Sequence, residues 1–505
     1  MTGFEPNEPN EPNEPDLAVA VESRIARRRR SQRPVQGRTT AGVAVALVVL
    51  GIGLVSVAVP DPTAEPAAPA GDGAAIAPVD ARTSSFFCTT GSGVDAGAGS
   101  TTAVVLTNTT HAAVHGTMAT VGTKTAPPSR KPVTVPPLGT VEVTPADGMP
   151  AGATASTFAF EGGGVAGTAL ISGPRGWSTA PCASQVASRW DFAGGSTVTG
   201  LLDLSLYNPT AAEAVVGVSF LTVSGNVLNP QAYQGISLAP GQLVVEKLGA
   251  YVQNQPVVAT LVRASSGSLV ATELDQMAVA SGSGLALMAG TPGSSTTWRF
   301  AQTTAVQGGT VTLALANPAM DPVTAKVTVG LSGASVEPRT IRIPGRTVVT
   351  FAASSAAGWP LGSPYSLTVS SSAPIVVGRT VVAPAGAASP QAGISPGITT
   401  ATMHWLVMGP GRPGSPGVAG GARHSLAVAD PGNSPVDVTV TRLDTGKVLA
   451  TATVAAHGNV VFSAAQIGGL DPVLVTASGP VTVESDDSPS GAPGIVASSG
   501  FPIGA

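Results

Sequence analysis

The chain repeats itself along most of its length, and this periodicity is the feature that most constrains its fold. An Asn or Asp that opens a turn recurs at Asn108, Asn208, Asn317 and Asp430, so successive copies are 100, 109 and 113 residues apart. A recurring period within one chain indicates an array of similar structural units. A unit of about 100 residues is long enough to enclose a hydrophobic core of its own.

The residues before each turn predict a β-strand. Apolar residues stand two and four positions before the turn, at Val104 and Leu106, Leu204 and Leu206, Leu313 and Leu315, and Leu426 and Val428. The residues between them are mostly small or polar: Val105, Ser205, Ala314 and Ala427. This alternation predicts a strand with one buried and one exposed face that runs into an Asx or Pro turn. A second strand is predicted to begin at Val114, Val215, Val323 and Val436.

Two further landmarks recur in each copy. A glycine precedes a β-branched run at Gly139, Gly241, Gly345 and Gly458, which predicts a turn into another strand. An aromatic residue stands near the start of each copy, at Phe87, Trp190, Trp298 and Trp405. Because aromatic residues are only 4% of the chain, we expect the three tryptophans to fill the cores of their units rather than to form binding surfaces.

Composition agrees with an all-β fold. Charged residues are 11% of the chain, against roughly 25% in typical soluble domains, and 62 Gly and 44 Pro residues punctuate Val- and Thr-rich runs. We therefore predict tandem Ig-like β-sandwiches at 86–185, 186–293, 294–400 and 401–505, standing in a row as a long particle. A continuous β-solenoid and a propeller are the alternatives, although their repeats are normally shorter. The sequence leaves the packing of the units against one another open.

The N-terminal part predicts a membrane anchor. Seven arginines between Arg24 and Arg38 precede an uncharged apolar run at 41–59. A helix of this length spans roughly 28 Å, close to the ~30 Å hydrocarbon core of a bilayer. Because cationic side chains stay on the cytoplasmic side, we expect 1–40 to be a disordered tail inside and everything after the span to lie outside. Residues 60–85 are predicted to be an Ala/Pro-rich linker. A cleaved signal peptide ending near Ser56-Val57-Ala58 is the alternative.

The two cysteines, Cys88 and Cys182, both lie on the predicted outer side. Two thiols in an oxidising compartment are most simply paired, so we predict a disulfide. Closing a loop of this size could stabilise the folded state by about 4 to 5 kcal/mol in the chain-entropy model. Two unpaired, buried thiols are the alternative.

No motif predicts catalysis, a cofactor or a metal site. Residues 393–397 have the spelling of a nucleophile elbow, but Pro396 follows Ser395 directly, so we interpret this stretch as an inter-domain linker. His111 and His115 have no accompanying ligands and are interpreted as surface residues. Three acids, Glu484, Asp486 and Asp487, are interpreted as a solvated turn rather than a cation site. The part after residue 40 carries a net charge of about −5 and no basic stripe, which argues against nucleic-acid binding.

The arrangement of a basic head, a single span, an Ala/Pro linker and a large Cys-poor, β-rich ectodomain resembles an uncharacterised family of actinobacterial membrane-anchored or secreted proteins, which is a domain of unknown function. The resemblance rests on this architecture and on the repeated strands ending at Asn208-Pro209 and Asn317-Pro318. It implies a cell-envelope setting and supplies no catalytic residues. Bacterial Ig-like modules resemble the units at the level of fold, which does not specify function.

The sequence thus predicts a non-enzymatic protein: an anchored extracytoplasmic scaffold or interaction protein that presents its β-units to an envelope polysaccharide or a membrane protein. An accessory subunit of an envelope glycan-assembly or glycosyltransferase system is the alternative. A glycan-active enzyme is a less favoured alternative, because it would need paired carboxylates or a nucleophile with a base in one cleft.

Overall fold

The computed structural model describes residues 73–92, 100–123, 127–198, 201–279, 282–333, 335–356, 358–384, 392–409, 423–469, 471–488 and 496–503. Ala68–Ala505 form one compact unit. The predicted tail and the predicted span at 41–59 lie outside the described residues. Within the described ranges, no helix has both the length and the apolar character needed to cross a membrane.

The described part of this unit is all-β, with three single-turn 3₁₀ helices at Gln231–Tyr233, Leu248–Ala250 and Ala353–Ser355. Four sets of strands follow the sequence period, and we call them repeats 1 to 4. Repeat 1 (84–181) contains β1 (Ser84–Ser92), β2 (Thr101–Asn108), β3 (Val114–Gly122), β4 (Ser129–Val135), β5 (Thr140–Val143), β6 (Ala153–Phe160), β7 (Val165–Gly173) and β8 (Gly176–Pro181). Repeat 2 (189–289) contains β9 (Arg189–Gly195), β10 (Leu202–Tyr207), β11 (Ala214–Thr222), β12 (Val227–Leu228), β13 (Ile236–Leu238), β14 (Leu243–Lys247), β15 (Val258–Ser266), β16 (Val270–Val279) and β17 (Gly282–Ala289).

The other two repeats have fewer but longer strands. Repeat 3 (295–396) contains β18 (Ser295–Thr304), β19 (Thr310–Asn317), β20 (Val323–Gly330), β21 (Arg339–Ile343), β22 (Thr347–Ala352), β23 (Pro364–Val382) and β24 (Ala392–Pro396). Repeat 4 (402–502) contains β25 (Thr402–Val407), β26 (Arg423–Ala429), β27 (Val436–Arg442), β28 (Val448–Val454), β29 (Asn459–Ser463), β30 (Val473–Ser488), β31 (Val496–Ser499) and β32 (Phe501–Pro502).

Each repeat has the same strand order in two antiparallel sheets. In repeat 1 the first sheet has the order β1-β6-β3-β4 and the second has the order β5-β2-β7-β8. Repeat 2 follows this order with β9-β15-β11-β12 and β14-β10-β16-β17. In repeats 3 and 4 one long strand belongs to both sheets: β23 pairs with β18 and β20 through its first half and with β19 and β24 through its second. The strand β30 does the same in repeat 4.

The two sheets of a repeat enclose a core to which both contribute buried residues. Trp190, Trp298 and Trp405 are fully buried, which confirms the interpretation of these tryptophans as core residues. Their indole Nε1 groups donate hydrogen bonds to the carbonyl oxygens of equivalent residues, Leu269 (2.8 Å), Ile375 (2.9 Å) and Val481 (3.0 Å). A tryptophan therefore suits this position because its one polar group finds a backbone acceptor inside the core.

Asparagine suits the repeated turn because its side chain both donates and accepts hydrogen bonds. The Nδ2 groups of Asn108, Asn208 and Asn317 donate to the carbonyl oxygen four residues later, at 2.7, 2.7 and 2.8 Å. Their Oδ1 atoms accept from the amide two residues later, at 2.8, 3.0 and 3.0 Å. In repeat 4 Asp430 accepts from the Gly432 amide at 2.6 Å, but a carboxylate has no hydrogen to donate.

Of the four turn glycines predicted from the repeat, only Gly241 is explained by a positive φ. The residue with positive φ is glycine in repeat 2 (Gly241, φ 72°), but Leu138 (46°), Arg346 (54°) and His457 (56°) occupy the corresponding place elsewhere. The amides of Leu138, Gly241, Arg346 and His457 all donate back to the first turn, to the carbonyl oxygens of Thr110, Asn208, Ala319 and Gly432. Gly345 is needed for space instead, because a Cβ there would lie 1.8 Å from the carbonyl oxygen of Met320.

The prediction of an exposed face on the repeated strand is wrong. Val105, Ser205, Ala314 and Ala427, which alternate with the core residues, are only 4, 3, 2 and 0% exposed. Their cross-strand partners on the second sheet are Thr168, Thr272, Gly378 and Glu484. These positions are small or polar because this face of the second sheet packs against the preceding repeat.

The contacts between repeats close into a ring. Thr89 hydrogen-bonds Thr272 between repeats 1 and 2, and the Ala193 carbonyl of repeat 2 lies against Gly378 of repeat 3. The Gln302 amide of repeat 3 donates to Glu484 of repeat 4 at 3.1 Å. The same position in repeat 1, Thr168, contacts the sulfur of Met408, which follows β25 of repeat 4, at 3.5 Å. Repeat 1 therefore packs against repeat 4 through the same face that repeat 2 uses to pack against repeat 1.

The centre of this ring is formed by one strand from each repeat. The strands β8, β17, β24 and β31 contact one another in cyclic order. They line a central cavity of about 30 Å³, between residues such as Ala180, Ala289, Pro396 and Ser498. This closed arrangement corrects the expectation of a row of units forming a long particle.

The segment predicted as a linker contributes to the closure of the ring. Ala74 and Ile76 are buried between repeats 1 and 4 with Val105, Leu406 and Phe501. Ile76 also forms a parallel bridge with Ile503. The part of the predicted linker that begins at residue 73 is therefore packed against the repeats.

Cys88 and Cys182 are joined by a disulfide with an S–S distance of 2.03 Å. Cys88 lies on β1 and Cys182 directly follows β8, so the bridge connects the first strand of repeat 1 to the end of its last strand. Both residues are buried in the core of the repeat. No free cysteine is found in the described residues.

Candidate functional site

The main candidate site is a cavity of about 330 Å³ at the interface between repeats 3 and 4, which we call the 3/4 cavity. One wall is the outward face of the first sheet of repeat 3, and the other is the repeated turn of repeat 4 together with the start of the second half of β30. The lining residues are Thr297, Arg299, Phe300, Thr328, Gly330, Ser366, Leu367, Thr368, Ser370, Ala429, Asp430, Pro431, His457 and Thr482.

Strand register explains why the wall from repeat 3 is polar. Thr328 on β20 and Arg299 on β18 are both cross-strand partners of Thr368 on β23. Three neighbouring strands thus direct polar side chains to the same side, opposite the core residues Val327, Leu367 and Val369. The Arg299 guanidinium is held by a hydrogen bond from Nη1 to the Thr399 carbonyl oxygen, at 3.0 Å.

The wall from repeat 4 contains two buried polar groups. Thr482 is fully buried on β30, and its hydroxyl has no hydrogen-bond partner among the described residues. One carboxylate oxygen of Asp430, Oδ2, is likewise without a partner in the described part of the chain. Burial raises the pKa of Asp430, and the Gly432 amide and His457 only partly oppose this. The His457 ring lies 3.0 Å from the Asn433 side-chain oxygen at the rim.

The cavity exists because two facing positions are small in this interface. In the 1/2 interface the residue before the turn is Tyr207, whose hydroxyl hydrogen-bonds Thr157 of the preceding repeat at 2.7 Å. The residue before the turn of repeat 4 is Ala429, and the position equivalent to Thr157 is Thr368. No side chain corresponding to that tyrosine fills the space between them.

The other two interfaces fill the same space from the opposite side. Between repeats 2 and 3 the residue before the turn is Ala316, and Leu261 packs in the same buried cluster. Between repeats 4 and 1 it is Thr107, and the equivalent position of repeat 4 is Leu474, which packs against the cluster of the 4/1 interface. Each of these interfaces therefore has at least one large side chain where the 3/4 interface has Ala429 and Thr368.

A buried ion pair lies beside the 3/4 cavity. Arg379 on β23 contacts Glu484 on β30, and the two side chains are 1% and 3% exposed. The Arg379 guanidinium also donates to the Ser395 hydroxyl at 3.1 Å and to Thr303 Oγ1 at 3.3 Å. Its Cζ lies 4.9 Å from the centroid of the Phe300 ring. This network joins repeat 3 to repeat 4 without an exposed charge.

The interpretation of Glu484, Asp486 and Asp487 as a solvated turn is wrong, because all three lie on β30 at the interface or in the core. Burial, reinforced by the charge of Glu484, raises the pKa of Asp486 to about 8. Asp487 faces the other way and contacts the buried ring of His424. Burial alone would lower the pKa of His424, but the charge and hydrogen bond of Asp487 outweigh it and raise that pKa.

Sequence reasoning missed a second buried acidic pair in repeat 2. Glu273 and Asp275 occupy alternate positions of β16, on the same face as the core residues Ala271 and Met277. Burial raises the pKa of Glu273 to about 7 and that of Asp275 well above its ordinary value. Asp275 accepts a hydrogen bond from the Ser196 amide at 3.0 Å. The alternation with apolar residues was the available signal, but acids in a strand are normally assigned to its exposed face.

The remaining sequence candidates are not brought together. Ser395 lies on β24, not in a linker, and its buried hydroxyl accepts from Arg379. His115 hydrogen-bonds Thr134 at 3.0 Å on the exposed side of β3, and His111 is exposed in the preceding turn. Across the described ranges, no three His, Cys, Asp or Glu side chains are grouped so that they could hold a metal ion.

Comparisons with known proteins identify a family. A model described as "Family of unknown function (DUF5719)" matches residues 159–462. Two similar solved structures are a Thermotoga maritima protein designated 1070 (15% identity, 21% of this chain and 93% of that chain, TM-score 0.20) and a tetra-tandem repeat from the extending region of a large adhesion protein (14% identity, 78% of this chain and 92% of that chain, TM-score 0.12).

No curated protein matches the chain. The family match covers more than half of the chain and confirms the expectation of an uncharacterised family. This chain therefore belongs to the DUF5719 family, a family of unknown function.

Proposed function

We propose that this protein is a non-catalytic scaffold or interaction protein of the bacterial cell envelope, anchored in the membrane and exposed on its outer side. The observation that carries the proposal is the closure of the four repeats into one body through buried contacts at every interface. Such a body holds the described turns and sheet edges of the four repeats in fixed positions, which suits the presentation of binding surfaces.

The proposed modules and compartment agree with several features of the chain. Two sheets around a common core in each repeat support an Ig-like sandwich as the unit, with boundaries close to 86–185, 186–293, 294–400 and 401–505. The Cys88–Cys182 disulfide suits an oxidising exterior. The arginines before the apolar run at 41–59 support an anchor with its N-terminus inside.

The proposed partners are an envelope polysaccharide or a membrane protein, and nucleic acid is not among them. An accessory subunit of an envelope glycan-assembly or glycosyltransferase system is the second candidate. It is favoured by the 3/4 cavity, because a polar cavity lined by hydroxyl groups suits a sugar better than an apolar peptide.

The proposal is tested by crosslinking mass spectrometry in intact cells that express the full-length chain with a C-terminal reporter. The expected result is an extracytoplasmic reporter and crosslinks from the repeats to one recurrent envelope protein, or copurification with cell-wall polysaccharide. A variant with three leucines of the apolar run replaced by aspartate should lose the membrane fraction. A cytoplasmic reporter, or repeats that capture neither an envelope protein nor polysaccharide, would refute the proposal.

A further inference from the structure

The 3/4 cavity has the size of a small-ligand site. Its volume of about 330 Å³ lies at the lower end of the range of roughly 300–1,000 Å³ that is typical of ligand pockets. The cavity on the ring axis, at about 30 Å³, is by contrast only large enough for water. Size alone therefore restricts the occupant of the 3/4 cavity to a molecule of about one or two sugar rings.

The open space is specific to one interface of the four. Repeat packing elsewhere places Tyr207, Leu261 or Leu474 at this position, whereas Ala429 and Thr368 leave it unfilled. The walls of this space therefore lack the dispersion contacts that Tyr207, Leu261 and Leu474 supply at the other interfaces. A bound molecule would restore these contacts.

The lining determines the chemistry of the occupant. Accessible hydroxyl groups come from the wall of repeat 3, at Thr297, Thr328, Thr368 and Ser370, and each can donate one hydrogen bond and accept others. Arg299 and His457 add donors, and the Asp430 carboxyl adds an acceptor that disfavours an anion. A neutral molecule rich in hydroxyl groups matches this set.

We propose that the 3/4 cavity binds a neutral, pyranose-sized sugar, with Thr328 and Thr368 as hydrogen-bonding residues. The sugar is either free or the terminal residue of a glycan. The inference depends on the proposed envelope role only for the choice of sugars, since binding is measured on the purified protein. A failure to bind sugar leaves the scaffold proposal intact, and a failure of the scaffold proposal leaves sugar binding intact.

The test uses saturation-transfer difference NMR on the full-length protein, solubilised in a detergent without a sugar headgroup. The probes are glucose, galactose, mannose and N-acetylglucosamine, with maltose to represent a glycan end. The expected result is saturation transfer to the ring protons of at least one probe, with a transfer at least tenfold weaker in both Ala429→Tyr and the double variant Thr328→Val, Thr368→Val.

The variants separate binding from folding. Ala429→Tyr introduces the residue that fills the 1/2 interface, and Thr368 is available to its hydroxyl as Thr157 is to Tyr207. The double valine variant keeps the shape of the cavity and removes only two hydroxyl groups. It therefore tests sugar binding even if the tyrosine variant does not fold. Thr340→Val, on the exposed edge strand β21 outside the cavity, is the matched control and should bind as the wild type does. No transfer to any probe, or unchanged transfer in the double valine variant, would overturn the proposal.

Discussion

The ion pair between Arg379 and Glu484 gives the sharpest prediction about how the ring is held together. Glu484→Gln keeps the size of the side chain and removes its charge, so the Arg379 guanidinium, which is 1% exposed, loses its directly bonded counterion and keeps only the nearby Asp486 carboxyl. Breaking a buried pair by removing one partner typically costs about 3 to 5 kcal/mol. The neutral acceptors at Ser395 and Thr303 and the Phe300 ring remain, so we expect a loss near the lower end, about 3 kcal/mol.

The loss is measured by urea unfolding of a fragment spanning Ala68–Ala505, followed by tryptophan fluorescence. The exposed pair Lys131–Asp147, with side chains 40% and 75% exposed, supplies the control: Asp147→Asn should change the free energy of unfolding by less than about 0.5 kcal/mol. A double replacement, Arg379→Met with Glu484→Met, should cost less than Glu484→Gln alone, because it removes both buried charges.

Comparison of these variants then separates the effect of the uncompensated charge from that of lost packing. The reasoning is refuted if Glu484→Gln lowers the free energy of unfolding by no more than Asp147→Asn does. It is refuted equally if the double methionine variant is less stable than Glu484→Gln, because the penalty would then come from lost packing and not from an uncompensated charge.

Three further outcomes follow from the same structure. Asp430→Asn should raise the free energy of unfolding by about 1 kcal/mol, since it restores the donor that the other three turns use, and a destabilised variant in urea unfolding would contradict this. Glu273 and Asp486, with pKa values raised to about 7 and about 8, hold protons in the folded state that the unfolded chain releases above about pH 4. Stability should therefore fall as pH rises from 5, by about 1.4 kcal/mol per pH unit for each such proton, up to about pH 7 for Glu273 and about pH 8 for Asp486; a higher melting temperature at pH 8 than at pH 5 would oppose this. Replacing Cys88 and Cys182 by alanine should lower the free energy of unfolding by about 4 kcal/mol, measured as a shift in the urea midpoint, and an unchanged midpoint would exclude a stabilising bridge.

The all-β character and the core tryptophans of the repeats could be predicted from the sequence because local patterns determine them. Period-two alternation located the strands that end at Asn208 and Asn317, and the recurring tryptophans located the core. These signals depend on residues that are close in the chain, so a single sequence contains them.

The contacts between repeats could not be predicted because small residues have two meanings. Ala314 and Ala427 alternate with core residues, which is typical of an exposed face, but in this ring that face is buried against another repeat. Sequence pattern does not distinguish a small residue in water from one at a close approach of two sheets. The closure of repeat 4 onto repeat 1 depends on residues as distant as Thr168 and Met408.

The candidate site was missed for a related reason. The 3/4 cavity is defined by what Ala429 and Thr368 lack relative to Tyr207 and Thr157, and this difference has meaning only after the repeats are superimposed in space. The acids at Asp486 and Asp487 were noticed but assigned to solvent, because Gly, Ser and Pro surround them in the sequence. Their burial arises from the contact of two repeats and not from local pattern.

The closed ring is tested most directly by small-angle X-ray scattering from the fragment spanning Ala68–Ala505. A compact body of this chain length should have a radius of gyration of about 22 to 25 Å. Four separate units of the same size standing in a row would give about 40 Å. The first value is the result expected for four repeats that close on themselves through Thr168 and Met408, and a value near the second would contradict that closure.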